Sequence, residues 1–320
     1  MTRYLPTRHS PLIIGTRGSP LALAQAHEVR DRLSAAFDIP TELFEIRPIA
    51  TSGDNRGFIA SDTPLKQLGG KGLFTREIEH MLLGGYIDIA VHSMKDMPVE
   101  QPDGLELETF LPREDPRDAL VSVDDMAFDH LPYGSVAGTS SLRRRAQVLS
   151  RYPHVKVVDF RGNVQTRLKK LESGAVSCTF LAIAGLNRLG CPNVAGEVIQ
   201  PEKMLPAVAQ GAIGIERRTC DIGVAGMLEA IHDTRTGLTL KAERAFLAKL
   251  DGSCQTPMAG LAELIGGGIR LRGEILRPDG SERHFDDMHA PACDAEELGI
   301  EMATRLLEKA GSGFFDWKPR

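Results

Sequence analysis

Short apolar runs alternate with stretches whose apolar positions recur every three or four residues, and this rhythm fills the first two thirds of the chain. Residues 12–15 read as a strand. Pro20–Phe37 then reads as a helix, because Ala22, Ala26, Val29, Leu33 and Ala36 fall on one face. Ser19 ahead of Pro20 marks its start: a hydroxyl can cap the first turn, and proline at the first helical position needs no N–H there. Strand-like residues 43–49, a helical stretch over 73–83 that Gly84-Gly85 stops, and a strand over 87–92 continue the series. Strands alternating with helices predict an α/β domain.

The pattern restarts after residues 111–116, whose Pro112 and Pro116 suit a crossover between domains. Strands are expected over 135–138, 155–160 and 179–184, with helices over 142–150 and 164–173. From about residue 236 the order changes to a helix, two strands around Gly266-Gly267-Gly268 and a helix over 294–309. That change predicts a third, α+β domain. The 320 residues, 42% hydrophobic, suffice for two or three domains.

Charge adds a local feature. The chain is acidic overall, with a formal net charge of -5, yet residues 139–170 hold nine Lys or Arg and one acid, Asp159. Most of the cations lie in Thr139-Ser140-Ser141-Leu142-Arg143-Arg144-Arg145 and in Arg161-Gly162-Asn163-Val164-Gln165-Thr166-Arg167. Each block follows a predicted strand and opens a predicted helix, where free backbone N–H groups and the helix dipole favour an anion. A single arginine run is commonly a solvated helix face. Two runs at strand-to-helix junctions point instead to a strongly anionic ligand, and arginine suits bidentate recognition of carboxylate or phosphate. Nucleic acid fits poorly, because the chain is acidic and aromatics make up only 5%.

Two further segments carry chemistry. His92-Ser93-Met94-Lys95-Asp96 sets a cation and a carboxylate side by side after a strand; Asp96 suits proton transfer or contact with a developing positive charge. Local sequence equally allows Asp96 as a turn or cap residue and His92 as a packed strand-end residue, and a Schiff-base role for Lys95 would require a desolvated site. Cys254 lies in the loop Asp251-Gly252-Ser253-Cys254-Gln255-Thr256-Pro257, open to covalent chemistry, whereas Cys178 in an apolar run reads as core. The five cysteines form no C-x-x-C pair, which argues against a disulfide framework or thiolate zinc site, and His284 and His289 stand apart from other metal ligands. Gly69-Gly70-Lys71-Gly72 is not a P-loop: Leu65 replaces its first glycine and Gly72 its Ser or Thr. No apolar run nears the ~18 residues of a membrane span and residues 1–10 lack a signal-peptide core, so a cytoplasmic protein is expected.

Taken in order, Ile14-Gly15-Thr16-Arg17-Gly18-Ser19-Pro20, the Gly-Gly-Lys-Gly-Leu-Phe run ending at Phe74, Val91-His92-Ser93-Met94-Lys95-Asp96, Gly138-Thr139-Ser140-Ser141-Leu142-Arg143-Arg144, Arg161-Gly162-Asn163 and the Cys254 loop resemble the porphobilinogen deaminases, also called hydroxymethylbilane synthases. The resemblance implies an α/β fold of two domains like type II periplasmic binding proteins plus a smaller C-terminal α+β domain. Its divisions would be 11–111 with 206–230, 116–205, and 234–320. It implies a transferase that condenses four porphobilinogen molecules head to tail with release of ammonia, on a dipyrromethane primer joined by a thioether to Cys254.

By the same likeness Asp96 is the catalytic carboxylate. Ser93, Lys95, Asp96, Thr139, Ser140, Ser141, Arg143, Arg144, Arg161, Asn163 and Arg188 would hold the cofactor. Arg17, Ser19, Phe74, Arg161, Arg167 and Gln210 would bind substrate. The resemblance also implies a monomer with neither nucleic acid nor membrane as partner, and a transient hand-off of product to the next enzyme. Ala209 stands where the family commonly carries glycine. A solute-binding module would explain the α/β halves but has no need of Cys254, and a nucleic-acid binder would explain the arginines alone.

Overall fold

A computed structural model describes residues 5–52, 75–123, 126–250 and 256–317. Its elements, in chain order, are β1 (Leu12–Arg17), α1 (Pro20–Phe37), β2 (Phe44–Ile49), α2 (Arg76–Leu83), β3 (Ile89–Ser93) and β4 (Leu105–Phe110). After the first crossover come β5 (Asp118–Ser122), β6 (Val136–Gly138), α3 (Leu142–Arg151), β7 (Lys156–Val158), α4 (Val164–Glu172), β8 (Cys178–Ala182), α5 (Ile183–Arg188) and β9 (Glu197–Ile199). A return crossover leads to β10 (Ile213–Arg218), α6 (Ile222–Leu228) and α7 (Thr234–Lys249). Strands β11 (Met258–Ile265), β12 (Gly268–Leu276) and β13 (Arg283–Pro291) and helix α8 (Ala295–Ala310) complete the chain.

The described residues form two compact units, each discontinuous in sequence: 5–52, 75–114 and 211–237 in one, and 115–123, 126–210, 238–250 and 256–317 in the other. The first holds a five-stranded sheet in the order β2-β1-β3-β10-β4. β1, β2 and β3 run parallel, and β10 lies antiparallel between β3 and β4. Successive side chains leave a strand on opposite faces, so Ile14, Ile89 and Val91 pack under α1 with Ala26, Val29 and Leu33, while Ala90 joins Ile78 and Leu82 of α2. Each of the Ile, Val and Leu side chains among these contributes roughly 1.5–3 kcal/mol on burial. The start of α1 is as expected: Ser19 Oγ accepts from Ala22 N and Pro20 holds the first position.

The second unit repeats the design. Its sheet runs β7-β6-β8-β5-β9, with β6, β7 and β8 parallel and β5 antiparallel between β8 and β9. Aligning β6 with β1, β7 with β2, β8 with β3, β5 with β10 and β9 with β4 superimposes both the order and the directions. In each sheet the antiparallel strand is the one entering just after a crossover. These are two α/β domains of one topology, the α/β class expected from the sequence.

A smaller antiparallel sheet, β11-β12-β13, also belongs to the second unit, with α8 packed on it. Gly266 and Gly267, both at positive φ, make the two-residue turn between β11 and β12. The sequence reading placed those two strands but missed β13. It also gave no strand at β4, β5, β9 or β10.

Candidate active site

The first cluster arises because β1 and β3 are adjacent and parallel, with Gly15 beside Ala90, so their carboxyl ends share one edge of the sheet. Arg17 ends β1 and Ser19 caps α1. Ser93 ends β3, and Met94–Asp96 forms a single 3₁₀ turn pinned by Met94 N donating to Ala212 O at 3.0 Å. Arg17 Nη1 stands 3.8 Å from Asp96 Oδ2, both side chains partly exposed. Ser93 Oγ donates to Gln25 Oε1 at 2.9 Å, which leaves its oxygen as an acceptor. His92 is a packed strand-end residue: its Nε2 lies 3.0 Å from the buried Glu216 Oε2. Beneath the same strands burial pushes the Glu79 carboxyl up, and the nearby Glu216 charge adds to that.

The second cluster is built from two strand-to-helix junctions on the parallel neighbours β6 and β7. Thr139 N donates to Val158 O at 2.9 Å, and Phe160 N donates to Ser140 Oγ at 2.9 Å, which ties the Thr139-Ser140-Ser141 turn to the segment leading into Arg161-Gly162-Asn163. Ser141 Oγ caps α3 by accepting from Arg144 N at 3.4 Å, and Thr139 Oγ1 accepts from Ser141 N at 3.2 Å. Asn163 Oδ1 caps α4, accepting from Thr166 N and from Thr166 Oγ1. Gly162 sits at φ 126°, a backbone state that favours glycine, and its carbonyl accepts from Arg167 Nε at 2.9 Å. Arg161 is buried, and Arg188 closes α5, the helix directly after β8.

A common chemical state follows. Ser19, Thr139, Ser140 and Ser141 each use the hydroxyl oxygen to accept from a backbone N–H, so each O–H remains available to donate. In each unit, hydroxyl donors beside guanidinium groups at helix N-termini are suited to carboxylates.

Arg143 and Arg144 are placed differently from what a ligand-lining run suggests. Both are buried, and both guanidiniums pair with the fully buried Asp118, at 2.8 and 2.7 Å. Gln210 Nε2 joins the same carboxylate at 2.8 Å and also donates to Pro116 O. The two arginines hold the Asp118 carboxyl far below the usual carboxylate range against the opposing effect of burial. No motif in the sequence pointed to Asp118. Its one signal was its position just after the Pro-rich crossover.

Phe74, Cys254 and the Gly69-Gly70-Lys71-Gly72 run lie outside the described residues. Cys178 is buried in β8, which pushes its thiol up to about 12, in keeping with a core role. Among the described residues no group of His, Cys, Asp and Glu could hold a metal ion, and no helix is long and apolar enough to cross a membrane.

Family models match almost end to end: "Porphobilinogen deaminase, dipyromethane cofactor binding domain" over residues 12–225 and "Porphobilinogen deaminase, C-terminal domain" over 238–308. The chain belongs to the porphobilinogen deaminase family. It is 58% identical to the porphobilinogen deaminase of Paracoccus denitrificans over 313 residues, covering 98% of this chain and 99% of that one. It is 50% identical to that of Nitrobacter winogradskyi over 302 residues, 94% of each. Among solved structures, the periplasmic VFT2 domain of Bordetella pertussis BvgS matches at 14% identity and a TM-score of 0.37, covering 69% of this chain and 85% of that one. As a member of that family, the chain is a transferase of tetrapyrrole biosynthesis that acts on porphobilinogen and carries a dipyrromethane cofactor.

Proposed function

We propose that the two clusters bind the acetate and propionate groups of porphobilinogen and of the growing chain, with Asp96 as the catalytic carboxylate and Cys254 as the covalent anchor. The observation that carries this reading is the shared state of Ser19, Thr139, Ser140 and Ser141, whose oxygens are occupied by backbone N–H groups while their O–H groups remain free to donate. Carboxylates are the acceptors such a set fits. Each charge-assisted hydrogen bond contributes roughly 1.5–3 kcal/mol, and every pyrrole unit brings two carboxylates, so several cations are needed together. Arg17, Lys95, Arg161, Arg167 and Arg188 supply charge, Arg143 and Arg144 supply it from a buried position, and Asn163, Phe74 and Gln210 complete the contacts.

The donor set at the α3 and α4 N-termini fits a dipyrromethane, whose side chains are the same acetates and propionates. When bound, that group supplies a nucleophilic free α-carbon and keeps the product tethered. Asp96 accepts the pyrrole N–H of the incoming substrate and offsets the positive charge that develops as ammonia leaves. It then receives the ring proton released after the new carbon–carbon bond has formed. Arg17, 3.8 Å away, sets a positive charge beside that carboxylate.

The remaining expectations belong to the same reading: a cytoplasmic monomer with no nucleic-acid or membrane partner, a transient hand-off of product, and domain divisions at 11–111 with 206–230, 116–205 and 234–320. Acid denaturation followed by Ehrlich's reagent tests the anchor, since a tethered dipyrrole gives a colour that stays with the polypeptide and is absent from Cys254→Ser. Fully loaded, active Cys254→Ser protein would remove the anchor from the scheme. Asp96→Asn is expected to lower kcat by about 10²–10⁴ with an unchanged circular dichroism spectrum, and normal turnover in that variant would discredit the catalytic assignment.

A further inference from the structure

Asp118 opens β5, the first strand after the crossover, and its side chain is fully buried. Oδ2 accepts from Arg143 Nη2 and Oδ1 from Arg144 Nη2, while Gln210 Nε2 donates to Oδ1 as well. Three residues assigned to ligand thus share one carboxylate. The other terminal nitrogens are occupied too: Arg143 Nη1 donates to Leu205 O and Gln147 Oε1, and Arg144 Nη1 donates to Phe180 O. The one nitrogen on each guanidinium with no partner among the described residues is Nε, whose N–H is buried.

Two such donors side by side are a poor design for a network that serves stability alone, because a buried unpaired N–H keeps its full desolvation penalty. Charge points the same way. Two cations share the single charge of Asp118, and Glu274, a buried acid whose charge also acts on Arg143, is itself paired with Arg151 and Arg283. Among the described residues the site therefore has an excess of positive charge, and its open donors belong to side chains whose directions are locked.

We propose that Asp118 is a positioning residue for the condensation: it holds Arg143 and Arg144 with both Nε–H groups set for carboxylates of the bound pyrrole chain, and fixes Gln210 to the same point. This rests on the carboxylate-binding reading of the second cluster. Asp118 contacts no substrate and acts through the arginines. Its removal leaves two guanidiniums free to turn toward any small anion, so specificity is lost along with affinity.

The test is Asp118→Asn, with Asp118→Glu as the charge-conserving partner that moves the carboxylate by one methylene. In folded Asp118→Asn, KM for porphobilinogen rises about tenfold while kcat changes less than about threefold. Primer occupancy, read by intact mass, falls, and inorganic phosphate inhibits about tenfold more tightly than in the unmodified enzyme. Asp118→Glu shows the rise in KM without the gain in phosphate inhibition. If KM, primer occupancy and phosphate inhibition all stay within about twofold of the unmodified enzyme in either folded variant, the proposal is overturned. Failure of both variants to fold overturns it equally, since Asp118 would then be a purely structural acid. Arg143→Ala and Arg144→Ala separate the two layers of the argument. Normal KM and occupancy in those variants sink the carboxylate-binding reading itself, whereas impairment there with normal Asp118 variants sinks the role of Asp118 alone.

Discussion

Substituting Gly162 by alanine perturbs the second cluster at its tightest point. At φ 126° an L-residue is strained, which costs on the order of 1–3 kcal/mol. A methyl group there would also lie 2.7 Å from Cβ and Cγ2 of Thr166, closer than real Cβ contacts allow. Thr166 must then move, and it is the residue whose N–H and O–H both donate to the Asn163 cap of α4. Overpacking of this kind costs typically 1–3 kcal/mol, and a weakened cap adds about 1 kcal/mol. A loss near 3–4 kcal/mol is therefore expected from strain and crowding combined. Because the Gly162 carbonyl also orients Arg167, KM for porphobilinogen should rise together with the loss of stability. Urea unfolding followed by circular dichroism gives the first quantity and steady-state kinetics the second. A Gly162→Ala protein less than about 1 kcal/mol weaker, with unchanged KM, would refute the strained-turn argument.

Other outcomes follow from the same geometry. Arg161→Leu should impair primer assembly or chain growth, visible as empty or prematurely stopped species by intact mass, and unchanged behaviour in both would reduce that arginine to a structural charge. Cys178, with its thiol pushed up to about 12, should resist iodoacetamide at pH 8 in the folded chain while the exposed Cys220 reacts; early labelling of Cys178 would contradict its burial. The Asp118 carboxyl titrates far lower in the folded chain than in the unfolded one, so its stabilising contribution is complete above the ordinary carboxylate range, near pH 4, and is lost only as pH falls toward the depressed value. Asp118→Asn should therefore flatten the acid limb of the stability profile below pH 4, and an unaltered limb would count against the buried triad.

How much of this was legible depends on whether the cause was local. The start of α1 was readable because Ser19 and Pro20 act on their own neighbours, and the turn of Gly266 and Gly267 for the same reason. β5 and β10 were not, since each carries a buried charge that breaks its apolar run: Asp118 opens the one, and Glu216, paired with His92, sits in the other. β13 alternates weakly, as an edge strand with Arg283, Asp286, Asp287 and His289 can. The basic blocks announced an anion site, but nothing within them revealed that Arg143 and Arg144 answer to an acid on another strand. Ala209 shows the reverse case. It occupies a position where glycine is common in the family, and it adopts φ 61° with its N–H donating to the buried Glu243 at 2.6 Å.

The late return of the chain to the first sheet has a consequence for synthesis on the ribosome. The first sheet lacks its fourth member, between β3 and β4, until Ile213–Arg218 has been made, long after the second sheet's own strands have emerged. A nascent chain stopped anywhere before that segment presents an open seam in the half that was translated first. Premature termination therefore yields a protein defective at its beginning, not merely one shortened at its end.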